Sequence, residues 1–176
     1  MRRFLHASTA LVLLVVPVAS WTALRNWLVA AAFLAVAVEI VRLQNPRVRA
    51  QLSRLIPVFR ASEERRPSGA MWLVVGYAAA SWFPAPAPAA GILVGALADP
   101  AASLGGTLVG SADRKTWVGT AVHFVVSVVV LAILPGPWHV ALMAALVGAL
   151  TERWSGRLDD NVTVPPAVSL VVAVLA

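Results

Sequence analysis

Ala96-Leu97-Ala98-Asp99-Pro100-Ala101-Ala102-Ser103-Leu104-Gly105-Gly106-Thr107 is the stretch that decides how the chain is read. Small apolar residues lead into an acid and a proline. Two glycines follow, and the basic pair Arg114-Lys115 comes soon after. A carboxylate set in apolar sequence is costly and marks a functional position by default. Pro100 has no backbone N–H, so a helix is expected to break or kink there, leaving residues 101–109 as a half-helix or re-entrant piece. The stretch reads as one wall of a phosphate-handling site at a membrane surface. A helix end facing water is the plainer alternative for Asp99.

Working outward, composition sets the class. Of the 176 residues, 60% are hydrophobic and 12% charged, whereas a soluble domain carries about 25% charged residues. Apolar runs of spanning length recur along the chain. The expected fold class is therefore all-α: a polytopic integral membrane helical bundle of about seven transmembrane segments, with a broken or half-helix after Asp99. One domain covers residues 1–176. The expected spans are 7–20, 27–43, 69–83, 89–98, 117–134, 138–150 and 162–176. Trp21, Arg25 and Asn26 read as a polar break after the first. No small-residue cleavage site follows that first run, so it reads as retained. Residues 45–67 interleave arginines with Val48, Leu52, Leu55, Ile56 and Phe59. At helical spacing this is an amphipathic helix with a basic face lying on the membrane. With no cysteine in the chain, disulfides and thiolate metal sites are excluded.

The charges fix an orientation. Loops alternate sides across seven spans, and all 14 Lys and Arg residues except Arg25 then fall on one side. That side is cytoplasmic by the positive-inside rule, and the N-terminus lies there. All eight acids fall on it too, which the rule does not require. Cations alone would be topology, whereas cations and acids from four separate segments look like a site. A net charge of +6, nearly all of it on one side of an apolar bundle, points away from nucleic acid and toward phosphates and anionic lipid.

Several residues are candidates for that site, each with a plainer role beside it. Asp99 is a ligand for Mg²⁺ or a base next to phosphates, and Gly105 and Gly106 let backbone approach the ligand. Asp159, Asp160 and Asn161 offer hard oxygen ligands, or they cap the last helix. Glu39 and Arg42 are an intrahelical ion pair, or Glu39 is a site carboxylate. Glu64, Arg65 and Arg66 suit phosphate oxygens, or they rest on anionic lipid. Arg114, Lys115, Thr116, Gly119 and Thr120 offer cations and hydroxyls at the mouth of a span, though no Walker sequence is present. His6 has two cations beside it in Arg2 and Arg3, while His123 and His139 read as packing or interfacial residues. No zincin, nucleophile-elbow or triad spacing stands out.

Five stretches together resemble the CTP-dependent lipid-alcohol kinases (dolichol kinase, phytol kinase and CTP-dependent diacylglycerol kinase), which are distantly similar to CDP-diacylglycerol synthases. Arg2-Arg3-Phe4-Leu5-His6-Ala7-Ser8-Thr9 resembles that family's Arg-Lys-x-x-His opening. Glu64-Arg65-Arg66-Pro67-Ser68-Gly69-Ala70 resembles the element before its next span. Leu97-Ala98-Asp99-Pro100-Ala101-Ala102-Ser103 resembles its Gly-Asp-x-x-Ala motif. Lys115-Thr116-Trp117-Val118-Gly119-Thr120 resembles its Lys-Ser-x-Glu-Gly-Ser motif, and Asp159-Asp160-Asn161-Val162-Thr163-Val164-Pro165 its Asp-Asn-x-x-x-Pro element. The order and spacing fit over nearly the whole chain. Ala98, Val118 and Arg3 depart from the pattern, standing where the family has Gly, Glu and Lys.

The resemblance implies transfer of the γ-phosphate of CTP, or another nucleoside triphosphate, to the hydroxyl of a polyprenol, phytol or diacylglycerol at the cytoplasmic face. Mg²⁺ would sit on Asp99, Asp159 and Asp160. Lys115, Arg65, Arg66, Arg2 and Arg3 would clamp the phosphates, with Asp99 as the base. The partners implied are nucleotide, lipid substrate and bilayer. A cytidylyltransferase acting on a phospholipid acid, an inactive family member and a small transporter are the alternatives. A transporter would place ionisable groups near the bilayer midplane.

Overall fold

The computed structural model describes residues 2–55, 59, 63–110, 115–156 and 158–176; Arg114 and the side chain of Arg2 lie outside the described part. Among the described residues there are helices and no strand. Eight α-helices follow in order: α1 (Arg2–Ser8), α2 (Trp21–Gln44), α3 (Pro46–Leu55), α4 (Gly69–Ala80), α5 (Ala87–Leu108), α6 (Trp117–Ala132), α7 (Trp138–Trp154) and α8 (Asp160–Leu175). A 3₁₀ stretch, Thr9–Val15, continues α1.

Local chemistry sets the starts. Ser20, Ser68, Thr116 and Asp159 precede α2, α4, α6 and α8, and each accepts a hydrogen bond from a backbone N–H of the first turn. These side chains satisfy donors that a helix start leaves unpaired. Gly110 and Gly156 follow α5 and α7 at φ +75° and +63°, the left-handed turn that ends helices and that glycine adopts at least cost.

Two expectations are corrected. Asp99 does not end a helix: α5 runs without interruption from Ala87 to Leu108, with Pro100 inside it. Pro100 leaves only the Ala96 carbonyl without its helical donor, and one such loss is tolerated where neighbouring helices hold both halves in place. Residues 101–109 are thus the last turns of α5, not a separate half-helix. Trp21, Arg25 and Asn26 are no polar break either, since they form the first two turns of α2. Among the described residues two helices, Trp21–Gln44 and Ala87–Leu108, are long and apolar enough to cross a membrane; α4, α6 and α8 are apolar and 12, 16 and 16 residues long.

α5 to α8 form the core, with α8 packed against α4, α5 and α7. Ala90, Val94 and Ala98 of α5 meet Leu131 of α6, Ala144 and Ala145 of α7, and Val164 and Val168 of α8. Small side chains let these backbones approach closely. The closest approach has a visible cause. Pro165 takes the helical donor away from the Asn161 carbonyl, and that carbonyl turns onto α4, where a Cβ at Gly76 would stand 2.1 Å from its oxygen. Only glycine fits there, and the contact fixes the start of α8 against the middle of α4.

α2 is different. It packs on α4, yet Trp27, Phe33, Leu34, Val36, Val38, Ile40 and Val41 remain exposed. One end of α2 is firmly tied. Arg42, 1% exposed, donates to both carboxylate oxygens of Glu39 at 2.9 and 2.8 Å and to the carbonyls of Glu63 and Arg66 at 3.0 and 2.7 Å. Glu39 in turn accepts from the Ser68 N–H at 2.5 Å. The pair therefore anchors residues 63–68 to α2 and positions the cap of α4.

Candidate carboxylate and phosphate site

Asp99 on α5, Glu152 on α7 and Asp160 on α8 converge, with one carboxylate oxygen from each lying within 4.8 Å of the others. Lys115, just before α6, adds a cation. Its Nζ lies 2.8 Å from Asp160 Oδ2 and 3.3 Å from Glu152 Oε1. It also donates to Ser155 Oγ at 2.9 Å and to the Glu152 carbonyl. Four elements that lie far apart in sequence thus supply one cluster. The side chains of Asp99, Lys115 and Asp160 are partly exposed, and α5 continues nine residues past Asp99, roughly 13 Å at helical rise.

The helix faces explain the convergence. Ala144, Ala145, Gly148, Ala149 and Glu152 are the buried side of α7, so the core-facing stripe ends on Glu152. Asp160 opens α8 where Gly76 fixes it. Asp99 follows Ala98, which is fully buried in the core.

Charge crowding is expressed in the flanking groups. Burial lowers the affinity of Lys115 for its proton, but Asp160 and Glu152 outweigh this and raise its pKa above the ordinary lysine value. Asp159 is pushed up, first by burial and then by the charge of Asp160. The site is an acid-rich pocket that favours bound cations.

α1 closes one side. Arg3 donates to Ser103 Oγ, one turn beyond Asp99, from Nε at 3.2 Å and from Nη2 at 3.1 Å, and Nη2 also reaches the Ser103 carbonyl at 3.3 Å. His6 Nε2 is 3.0 Å from the Gly95 carbonyl, so that nitrogen carries the proton, and it lies 3.9 Å from Asp99 Oδ2. Thr9 and Tyr77 share a hydrogen bond of 2.8 Å below it.

Of the residues singled out by sequence, Asp99, Lys115 and Asp160 come together, with His6 and Arg3 beside them. Others have different work. Asp159 accepts from the Asn161 N–H at 3.1 Å and from its Nδ2 at 2.6 Å; it caps α8, and Glu152 takes its place in the cluster. Asn161 supports that cap. Thr116 Oγ1 accepts from the Gly119 N–H at 2.9 Å, a cap for α6. Gly105 and Gly119 are sites of helix packing rather than a phosphate cradle. A Cβ on Gly105 would stand 2.8 Å from Val122 of α6, and one on Gly119 would stand 3.0 Å from the Ala102 carbonyl of α5. Gly106 is buried within α5. Glu39 belongs to the Arg42 anchor. Glu64, Arg65 and Arg66 are exposed on the segment that this anchor holds. His123 is buried, with Nδ1 3.3 Å from Ser127 Oγ, and His139 stacks edge-on against Trp138.

Glu152 is the residue that sequence reasoning missed. The signal was the small-residue stripe of α7, whose next inward position is Glu152. Compared with protein-family profiles, curated proteins and solved structures, the chain finds no match in any of the three.

Proposed function

We propose that the chain is a membrane-embedded phosphotransferase that passes the γ-phosphate of CTP to the hydroxyl of a lipid alcohol. A polyprenol, phytol and diacylglycerol are the candidate acceptors. The observation that carries this reading is the convergence of Asp99, Lys115, Glu152 and Asp160 at one point. Three of the four lie in the stretches that resemble the lipid-alcohol kinases. The uncovered apolar flank of α2 supports a bilayer setting, since such a patch is otherwise a liability in water.

The donor set suits a hard divalent cation, being all carboxylate oxygen with room for a small closure. Asp99, Glu152 and Asp160 would hold Mg²⁺, which supplies neutralisation of phosphate charge. Lys115 is fixed by two carboxylates, so its charge is placed before substrate arrives and costs no reorganisation during transfer. In phosphoryl transfer the protein contributes mainly position and charge. The acceptor hydroxyl must lose a proton. The Asp99 carboxylate, beside His6, is the proposed base.

Position of the label separates this reading from its neighbours. Membranes containing the protein, given Mg²⁺ and a lipid-alcohol panel, are expected to take phosphate into lipid from γ-labelled CTP, with CDP released. Label entering lipid only from α-labelled CTP, with pyrophosphate released, would instead identify a CDP-lipid synthesis. No label from either would overturn both.

A further inference from the structure

Arg153 follows Glu152 on α7, yet its side chain is not part of the carboxylate cluster. Its guanidinium lies on the Trp117 ring, with Cζ 3.6 Å from the ring centroid. Trp117 opens α6, two residues after Lys115, and is 63% exposed. Arg153 Nε and Nη1 are shielded from solvent and have no hydrogen-bond partner. A dehydrated donor without an acceptor is an expensive state, more so on a charged group. The neighbouring cations are otherwise engaged: the ammonium of Lys115 meets Glu152, Ser155 and Asp160, and Arg3 Nε and Nη2 are on Ser103. A guanidinium held flat against an indole beside a carboxylate site, with Nε and Nη1 unmatched on different edges, keeps charged donors for the oxygens of an oxyanion.

We propose that Arg153, positioned by Trp117, binds a phosphate group at the lip of the Asp99–Glu152–Asp160 cluster. This rests on the phosphotransferase reading for its biological meaning, but the binding itself needs no turnover. Arg153 is partly exposed as a residue, and binding requires its shielded donors to turn outward from the Trp117 ring. The phosphate has two possible sources, the polyphosphate of a nucleotide and the phosphate of a lipid headgroup.

The test is calorimetric titration of the full chain in dodecyl maltoside, which contains no phosphate. One arm uses tripolyphosphate with Mg²⁺; the other uses short-chain phosphatidic acid. Arg153→Gln is expected to weaken binding at least about tenfold in one arm, as loss of a charged hydrogen bond implies. The affected arm identifies the source. Arg153→Lys, which keeps charge but loses the fork, is expected to recover only part of the affinity. Trp117→Ala is expected to weaken the same arm and Trp117→Phe to retain it, an independent check should Arg153→Gln fail to fold. Equal affinities for wild type, Arg153→Gln and Trp117→Ala, or no binding of either anion by wild type, would overturn the proposal. Arg153-dependent binding of tripolyphosphate without label transfer from CTP would leave it standing while removing the kinase reading.

Discussion

Asp99→Asn is expected to abolish lipid phosphorylation, lowering the rate by about 10³-fold or more, while helix content and membrane insertion stay as in wild type. Asparagine has the same shape and fills the same place on α5, so packing against α1 and the core is kept. What is lost is an ionisable carboxyl group at the point where Glu152, Asp160 and Lys115 meet. A preorganised charge in a water-poor site carries a large share of transition-state stabilisation, and the same oxygen is the proposed proton acceptor. Phosphate incorporation from labelled CTP, normalised to protein recovered in membranes, measures the effect. Activity within tenfold of wild type would remove Asp99 from both roles.

The second large effect lies outside the site. Arg42→Met is expected to destabilise the fold by about 3–5 kcal/mol, because it leaves the Glu39 carboxylate buried without its partner. It also removes the donor to the Glu63 and Arg66 carbonyls, which ties residues 63–68 to α2. Titration with sodium dodecyl sulfate from dodecyl maltoside micelles, followed by circular dichroism, reads the shift. Replacing both partners, Glu39→Leu with Arg42→Met, is expected to lie closer to wild type than Arg42→Met alone, since no isolated charge then remains. A single variant as stable as wild type would show that the pair is no anchor.

Particular residues show what could be seen in the sequence. Helix positions were legible, because apolar runs are punctuated by Ser68, Thr116, Asp159 and the Pro135-Gly136-Pro137 turn, each with a local effect that needs no tertiary context. Asp99, Lys115 and Asp160, which the structure brings together, stood out because charge in apolar sequence is rare. Pro100 misled, since a missing N–H is a local penalty and its tolerance depends on helices from elsewhere in the chain. Asp159 and Asp160 were not told apart for a similar reason. Adjacent acids at a helix start look alike in sequence, but the backbone turn assigns one to the cap and points the other into the cluster. Glu39 shows the same limit. A buried acid in a helix reads as functional until its partner's other bonds, to Glu63 and Arg66, show it holding a loop.

The central claim is that carboxylates from three separate helices make one divalent-cation site. Purified protein titrated with Mn²⁺, with free Mn²⁺ followed by electron paramagnetic resonance, tests it most directly. One saturable site per chain is predicted, weakened about tenfold or more by Glu152→Gln or Asp160→Asn, and unaffected by Glu64→Gln, whose parent residue is exposed away from the cluster. Mn²⁺ binding that is absent in wild type, or unchanged when Glu152 and Asp160 are replaced together, would contradict the account.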